Sequence, residues 1–519
     1  MRIFVKALPF ILCLSLLLSA CSGGDDIFPP EDSISPEDSI SPDESITPTD
    51  PAVDATEEPV DKISVNVAGL AVMLTGADGT SKRINLADEV IKLLPEEVKA
   101  KYEFIVGNYL ATDDAWTYLG FRDYVMVRKP DIIIGAEALG HNASYSGHAQ
   151  NGMYADLTPY FTADAPEGEF FLPLLESGIF NGKQTVVPLA FMPDNLAIAS
   201  NNKLTASSMS LPYADVGAFA ADIIGKGHTG DNACVFSPYE YLWYERLIFD
   251  LAASDVDRIG MTVEQVTDRL QALRDLADNT DTLDAAAEGP PIADANGIIN
   301  ETVFSQVLFE KEDECFNSPQ FIFSAPLTAS FFPGWQRSAW IESALESSDY
   351  PEYFAFPRFF GDAGLLAAPK LVVTIDKNSE AVEAGYEIIK TALSEAFQYG
   401  VLCEAMGMMG GNQFLPVSKA AFDRYTDAAD PAVIERYTKR CADVLGAEDD
   451  RLEGYVKSML ESYRKAVGGV TAVTADIGAY NIYDLYMTID GYRSGAMTLS
   501  EAAERIHLTR KLFNEVNQP

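Results

Sequence analysis

Aromatic side chains are the clearest candidates for ligand contact in this sequence. Trp335 follows a Pro-Gly turn, which can present its ring at the end of a strand, and Trp340 is the nearby alternative. Such rings stack on the C–H faces of neutral sugars, whose hydroxyl groups then need fixed polar partners. Tyr239 and Trp243 are further candidates, although packing inside an aromatic-rich helix is the favoured interpretation of that stretch. These rings are therefore candidate stacking surfaces for a ligand.

A polar break between two apolar runs supplies the second set of candidate contacts. Residues 186–191 form a short apolar run typical of a buried strand, and a second run follows at 196–199. Pro193, Asp194 and Asn195 separate the two runs. Two buried half-strands joined by a polar kink suit a chain that leaves one lobe and enters another. We therefore predict that Asp194 and Asn195 lie in the cleft between two lobes, within reach of a ligand.

Short matches to catalytic motifs each have a structural interpretation that we favour. Ser462 and Lys465 have the Ser-x-x-Lys spacing of one β-lactamase element, but its companion motifs are missing. The run that begins at Asp376 mimics part of a calcium-binding loop, yet Ala381 stands where that loop requires glycine. A helix start is the better interpretation there. We expect no enzyme activity, no cofactor and no metal site.

Histidine and acidic residues add no stronger catalytic hypothesis. His141 and His148 share one predicted loop, where a metal site is a minor alternative. The 78 acidic residues allow a pair of glycosidase carboxylates, but no sequence feature supports such a pair.

Length and charge limit the classes of protein to consider. At 519 residues the chain is too long for a single core, and two or three domains are expected. The formal net charge of −41 argues against nucleic acid and against anionic membrane surfaces as partners. It also disfavours an anionic small ligand, unless local basic residues override the field.

The first residues have the pattern of a bacterial lipoprotein signal peptide (1–21). A short basic region precedes an apolar stretch, 7–20, that is too short for a membrane span. The stretch ends in Leu-Ser-Ala-Cys, which resembles a lipobox with Cys21 as the lipidated residue. An ordinary signal peptide with a chance cysteine is the alternative. The pattern predicts a protein held by lipid at the extracytoplasmic face of the cell membrane.

An acidic tether follows the signal peptide. Residues 22–61 contain no Lys or Arg, and a Pro-, acid- and Ser-containing unit repeats every six residues from Pro30. The segment has too little apolar surface to offset the conformational entropy that it would lose on folding. We therefore predict that it is disordered and that charge repulsion keeps it extended.

The remaining cysteines do not form a recognisable framework. Cys234, Cys315, Cys403 and Cys441 are widely spaced and fit no zinc motif. An exported protein can pair them in three ways, and buried free thiols are an equally good interpretation.

The folded part begins with alternating strands and helices. Strands are predicted at 63–73, 102–106 and 131–135, and helices at 86–99 and 116–127. This βαβαβ order implies a parallel sheet with helices on both faces, and ligands then bind beyond the carboxyl ends of the strands. Farther along, helices are predicted at 213–224, 262–277 and 381–393, and a strand at 370–375.

Several segments share their residues and their order with one protein family. They are 129–134 (KPDIII), 154–160 (YADLTPY), Gly182, Lys183 and Pro188 with 202–204 (NKL), 370–379, 414–419 (FLPVSK), and 492–495 with Thr498 and Glu501. This set resembles the family 1, carbohydrate-type extracellular solute-binding proteins of bacterial ABC importers. Ala199 and Ser200 depart from the pattern, because the family usually has tyrosines there.

The resemblance implies an α/β fold of the periplasmic-binding-protein-like type II class, with two lobes and parallel-type sheets joined by a multi-crossover hinge. Lobe 1 would span 62–188 with 376–413 returning to it, and lobe 2 would span 196–370 with 417–519. It implies a stacking role for Trp335, a monomer, a carbohydrate ligand and ABC permease subunits as partners. An exported glycan-acting hydrolase and a surface lipoprotein without a transporter are the alternatives.

Overall fold

The computed structural model describes most of the predicted folded part. The described residues are 62–75, 81–109, 129–136, 145–193, 196–199, 213–226, 262–279, 323–324, 338–347, 350, 352–355, 364–405, 415–473, 488, 491–492 and 495–517. The signal peptide, the tether, the predicted helix 116–127 and the aromatic-rich stretch that holds Tyr239 and Trp243 lie outside them.

The strands form one large sheet, one small sheet and a short hairpin. In chain order they are β1 (Ile63–Thr75), β2 (Ser81–Asn85), β3 (Tyr102–Tyr109), β4 (Ile132–Ala136), β5 (Ile179–Phe180), β6 (Lys183–Gln184), β7 (Val186–Pro193), β8 (Leu196–Ala199), β9 (Phe323–Ser324), β10 (Glu352–Ala355), β11 (Leu365–Ile375), β12 (Leu415–Pro416) and β13 (Val470–Val473). The large sheet has the order β12-β7-β11-β4-β1, with β2 and β3 paired to β1 and β13 paired to β11. The small sheet has the order β10-β8-β9.

Helices pack around these sheets. In chain order they are α1 (Leu86–Leu93), α2 (Glu96–Lys101), α3 (Tyr145–Gln150), α4 (Thr158–Ala163), α5 (Leu172–Glu176), α6 (Val216–Gly225), α7 (Val263–Asn279), α8 (Ser338–Ser347), α9 (Val382–Leu393), a π-helix (Ala396–Ala405), α10 (Lys419–Tyr425), α11 (Pro431–Leu445), α12 (Leu452–Val467) and α13 (Leu499–Asn517). The predicted α/β class is therefore confirmed. In the described part of the chain, no helix combines the length and the apolar character needed to cross a membrane.

Strand direction defines two edges of the large sheet. β1 is parallel to both β3 and β4, as the predicted βαβαβ order requires. β11 is antiparallel to its neighbours β4 and β7, so β4 and β7 run in the same direction. We call the edge where β4 and β7 end and β11 begins the carboxyl edge. The opposite edge, where β4 and β7 begin and β11 ends, is the amino edge.

Helix α1 shows how local sequence sets the start and the end of an element. The Asn85 side chain caps it by accepting a hydrogen bond of 2.9 Å from the Ala87 N–H. Asn85 fits because Gly69 faces it, and a Cβ on Gly69 would lie 2.0 Å from Asn85 Oδ1. The predicted single helix 86–99 is wrong in one respect, because Leu94 is extended before Pro95 and the helix restarts as α2.

Reciprocal capping boxes precede two of the helices. The Thr262 N–H donates to Gln265 Oε1 at 2.9 Å, and the Gln265 N–H donates to Thr262 Oγ1 at 3.2 Å. Thr498 and Glu501 make the same reciprocal pair before α13. Each box satisfies N–H groups that have no partner inside the helix.

The small sheet differs in direction from the parallel type that the resemblance implies. Its described strands are antiparallel, since β8 pairs antiparallel with both β10 and β9. The reason is the path of the chain. β8 leads away from the large sheet and β10 leads back to it, so the two strands run in opposite directions. The short strand β2, antiparallel to the end of β1, was not predicted either.

Aromatic packing joins the small sheet to a layer formed by α10, α11 and α12. Tyr353 of β10 contacts Tyr463 of α12 edge to face, with ring centroids 5.1 Å apart. Phe422 of α10 packs against Phe171, which in turn contacts Phe191 of β7. One continuous core therefore extends from the crossing strand β7 to this helical layer.

Candidate functional site

The first connection between the two sheets lies where the sequence predicts it. β7 pairs with β11 and β12 in the large sheet, whereas β8 pairs with β10 and β9 in the small sheet. Only Asp194 and Asn195 separate β7 from β8 in the chain, and these two residues lie outside the described part. The chain thus changes sheet at the polar break, at the carboxyl edge.

A second connection returns the chain from β10 to β11. Gly364 precedes β11 with φ of +147°, a backbone conformation open to glycine but strained for other residues. It also lies against β13, because a Cβ at this position would be 2.1 Å from Thr471 Oγ1. Glycine is therefore required here both by conformation and by space.

The third connection runs through β12, beside β7. Leu415 and Pro416 pair with Phe191 and Ala190, after which Ser418 caps α10 by accepting from the Ala421 N–H. The chain then forms the helical layer that packs on β10. β13 comes back to the large sheet after α12, and this fourth connection was not predicted.

Gln398 of the π-helix links the crossing strand β7 to the third connection. Its side chain is fully buried, and its Nε2 donates to the carbonyl oxygens of Leu189 at 3.1 Å and Ala392 at 2.8 Å. Its Oε1 accepts from the Ser418 N–H at 3.1 Å. One amide thus joins the crossing strand β7, the end of α9 and the start of α10. Sequence reasoning missed it, and a single polar residue in an apolar run was the available signal.

The family-like motifs lie mostly at the amino edge, where they form a hydrogen-bonded network. Asp131 accepts from the Asn66 N–H at 2.9 Å and from Ser379 Oγ at 2.8 Å. The Ala155 N–H donates to the Ile375 carbonyl at 2.9 Å. These contacts connect the segments 129–134, 154–160 and 370–379 directly.

The segment 154–160 also makes hydrogen bonds to the hairpin that precedes β7. Thr158 Oγ1 accepts from the Gln184 N–H at 2.9 Å, and the Leu157 N–H donates to the Gln184 carbonyl at 2.8 Å. Asp156 Oδ1 accepts from the Thr158 N–H at 3.0 Å. The side chains of this motif therefore hold the backbone at the amino edge.

The predicted ligand contacts fall largely outside the described residues. This applies to Asp194, Asn195, Tyr239, Trp243 and Trp335, and also to the lipidation site Cys21. Trp340 lies in the first turn of α8. The C-terminal part of α8 is tied to the start of α12 by Arg451, which donates to the Leu345 carbonyl at 2.6 Å. The roles of all these residues stay predictions.

The sequence did not single out Lys370 as a site residue, yet its placement is unusual. It lies in β11, which runs between β4 and β7, and it is partly exposed while the other residues of this fully described strand are buried. Pro369 pairs with Phe191 and Leu371 with Ala190, so the register between β11 and β7 shifts by one residue at Lys370. Bulges of this kind occur next to functional sites and redirect a side chain.

The short catalytic matches have structural roles in the described residues. Ser462 Oγ accepts from the Tyr353 N–H at 2.7 Å and so anchors β10 to α12. Asp376 Oδ1 accepts from the Asn378 N–H at 2.7 Å, and Ser379 Oγ accepts from the Ala381 N–H at 3.0 Å. These contacts form a turn directly before α9. The predicted helix start in this segment is therefore confirmed.

His148 and two of the cysteines are structural as well. His148 lies in α3, its Nδ1 is 3.3 Å from the Tyr154 hydroxyl, and burial lowers its pKa. His141 lies outside the described residues. Cys403 and Cys441 are buried and are not in a disulfide, and burial raises the pKa of Cys403. Cys234 and Cys315 lie outside the described residues.

No protein-family model and no curated protein matches this chain. Among solved structures, the GacH receptor of Streptomyces glaucescens GLA.O, determined unliganded and with acarbose, is similar with 14% identity and a TM-score of 0.42, covering 88% of this chain and 99% of that chain. A periplasmic oligogalacturonide binding protein from Yersinia enterocolitica has 13% identity and a TM-score of 0.46, covering 88% and 100%. An ABC substrate-binding protein from Listeria monocytogenes, in complex with cycloalternan, has 13% identity and a TM-score of 0.44, covering 88% and 99%.

Proposed function

We propose that this protein is a lipid-anchored extracellular solute-binding protein that captures a sugar or oligosaccharide and delivers it to an ABC importer. The observation that carries the proposal is the repeated change of sheet at the carboxyl edge, between β7 and β8 and again between β10 and β11. Two bodies joined by a few short connections can close on a ligand by changing a few backbone angles. The ligand would then be held between the two sheets, at the carboxyl edge.

Polar and aromatic side chains near these connections supply the binding chemistry. Asp194 and Asn195 separate β7 from β8 and can offer hydrogen bonds to ligand hydroxyl groups. Trp335 is proposed as the stacking surface, with Trp340, Tyr239 and Trp243 as further contacts. This assignment comes from the sequence resemblance and from the chemistry of sugar recognition.

Thermal stability in the presence of saccharides tests the binding function. A panel of neutral and acidic mono- and oligosaccharides is added to the full-length chain, and the melting temperature is followed. A ligand at 100 times its dissociation constant stabilises the folded state by about 2.7 kcal/mol, which gives a clear shift. No shift with any saccharide contradicts the proposal. Shortened products after incubation would instead support a glycan-acting hydrolase.

The stacking role of Trp335 is tested by truncation. Trp335→Ala should weaken saccharide binding by roughly 1–3 kcal/mol, or about five- to 150-fold in the dissociation constant, because ring area and C–H contacts are lost. The melting temperature should change little. Unchanged affinity with a collapsed melting temperature indicates a core tryptophan and moves the stacking role to Trp340 or Trp243.

Membrane anchoring is tested at Cys21. Cys21→Ser should release the protein into the medium or leave its signal peptide uncleaved. Deletion of residues 30–47 from the tether should leave ligand affinity and melting temperature unchanged, since the segment has too little apolar surface to pack. Normal processing and detergent-phase partitioning of Cys21→Ser would contradict the anchor.

A further inference from the structure

The π-helix and the helical layer of α10, α11 and α12 belong to different predicted lobes, yet they contact each other. The π-helix continues α9, which packs on the large sheet so closely that a Cβ on Gly385 would overlap the Ile375 side chain. The helical layer packs on the small sheet through Tyr353 and Tyr463. A change in the angle between the two sheets therefore acts on the contacts between the π-helix and this layer.

Two arginines of the helical layer reach across to the π-helix. Arg424, at the end of α10, donates to Glu395 Oε1 at 3.0 Å, and its guanidinium carbon lies 3.8 Å from the centre of the Tyr399 ring. Arg436 of α11 lies near Glu404, at the other end of the π-helix. The two ion pairs therefore connect the predicted lobes at both ends of the π-helix, and Tyr399 lies between them.

The geometry of the π-helix places these partners on one face. Tyr399 follows Glu395 by four positions, and Glu404 follows Tyr399 by five. In an α-helix, with about 3.6 residues per turn, Glu395 and Glu404 would be about two and a half turns apart and on opposite faces. The wider π-helix, whose hydrogen bonds join residues five positions apart, brings them into line. An uncommon type of helix thus presents both acids to the same two arginines.

The two ion pairs are formed to different extents. Arg424 and Glu395 are at hydrogen-bond distance, whereas Arg436 Nη2 lies 3.9 Å from Glu404 Oε1, too far for a hydrogen bond. Within the described part of the chain, Arg436 Nη1 is also buried without a hydrogen-bond partner, which costs free energy. The second pair is therefore incomplete, and a small movement of α11 toward Glu404 would complete it.

We propose that Arg424, Arg436, Glu395, Glu404 and Tyr399 form a two-position latch between the lobes. Rocking of the helical layer across Tyr399 shortens one ion pair while it lengthens the other. Each pair then favours one arrangement of the lobes, because a contact made in only one arrangement stabilises that arrangement. The inference rests on the proposed function and adds the element that sets the balance between its two arrangements.

Neutral substitutions of the two acids test the latch. Glu395→Gln breaks the pair with Arg424, and Glu404→Gln breaks the pair with Arg436. The two variants should shift the balance between the arrangements in opposite directions. Saccharide affinity should therefore rise in one variant and fall in the other, by about two- to five-fold, because an exposed ion pair contributes little.

The balance itself is measured without any saccharide. Spin labels are placed at Glu380→Cys, directly before α9, and at Glu453→Cys in α12, two exposed positions in the full-length chain with Cys234 and Cys315 replaced by serine. Pulsed electron resonance gives the distribution of label-to-label distances. The mean distance should move one way in Glu395→Gln and the other way in Glu404→Gln. Arg424→Met and Arg436→Met should repeat these two shifts, because they break the same pairs.

Asp423→Asn is the matched control. It changes the charge by the same amount at an exposed position of α10, but its pair with Arg464, at 2.9 Å, stays within the helical layer. It should alter neither the distance nor the affinity. Shifts of the same sign in the two acid variants, or shifts no larger than that of Asp423→Asn, overturn the latch. A chain that binds no saccharide overturns the proposed function, while the distances still decide the inference.

Discussion

The two edges of the large sheet are built differently, although the same strands form both. At the amino edge, Asp131, Ser379 and Thr158 hold backbone segments from distant parts of the chain with side-chain hydrogen bonds. At the carboxyl edge, the chain changes sheet between β7 and β8 and again between β10 and β11, where Gly364 is confined by its positive φ and by Thr471. The difference teaches that the family-like motifs of the amino edge hold distant backbone segments together, whereas the proposed ligand contacts lie where the chain changes sheet.

The largest effect is expected from Gln398. Gln398→Met keeps the volume but leaves the Leu189 and Ala392 carbonyls and the Ser418 N–H without this partner, so stability should fall by roughly 3–5 kcal/mol. Urea unfolding measures the loss. Gln271→Met removes an exposed side-chain bond to Asp275 and should change stability by less than about 0.5 kcal/mol. Equal effects of the two variants would contradict the role of Gln398.

Gly364 should give the next largest effect. Gly364→Ala places a Cβ against Thr471 in a backbone conformation unsuited to alanine, so we expect a loss of about 2–4 kcal/mol and weaker saccharide binding. Gly182→Ala is the control, since Gly182 also has positive φ but would meet nothing within 4 Å. It should cost about 1 kcal/mol. If Gly364→Ala leaves the stability unchanged, the connection between β10 and β11 does not require glycine at this position.

Asp131 tests the amino edge. Asp131→Ala removes the acceptor of the Asn66 N–H and Ser379 Oγ hydrogen bonds and should cost about 1.5–3 kcal/mol of stability. The saccharide affinity of the folded protein should not change, because this edge is remote from the proposed site. Asp443→Ala, at an exposed position on α11, serves as the control. A changed affinity in Asp131→Ala would break the division between the two edges.

His148 should give the smallest effect, and only at acidic pH. Burial lowers its pKa, so the unfolded chain binds a proton more readily than the folded one as pH falls below about 6.5. Its contribution to stability is therefore present above that pH and is lost as pH falls toward the lowered folded-state pKa. His148→Gln should flatten this part of the stability profile, which urea unfolding at a series of pH values measures. If the slope of stability against pH is the same in His148→Gln as in the unaltered chain, His148 is not the source of this pH dependence.

Sequence reasoning found the elements that depend on local patterns and missed those that depend on distant partners. The helix that follows Thr262 and the strands β1, β3 and β4 could be predicted from neighbouring residues. The bulge at Lys370 depends on the register of β7, and the bond between Ser379 and Asp131 joins residues 248 positions apart. No local pattern encodes either. The first change of sheet, between β7 and β8, was predictable because a polar break interrupts an apolar run there.

Closure of the two sheets on a saccharide is the central claim, and a distance between spin labels tests it most directly. Glu380→Cys lies at the amino edge of the large sheet and Glu453→Cys on α12, which packs on the small sheet, and both positions are exposed. Cys234 and Cys315 are replaced by serine, while Cys403 and Cys441 are buried. Pulsed electron resonance measures the label-to-label distance before and after addition of a saccharide whose binding is established by calorimetry. The account predicts a shorter and narrower distance distribution with the saccharide. An unchanged distribution at saturating saccharide would contradict closure.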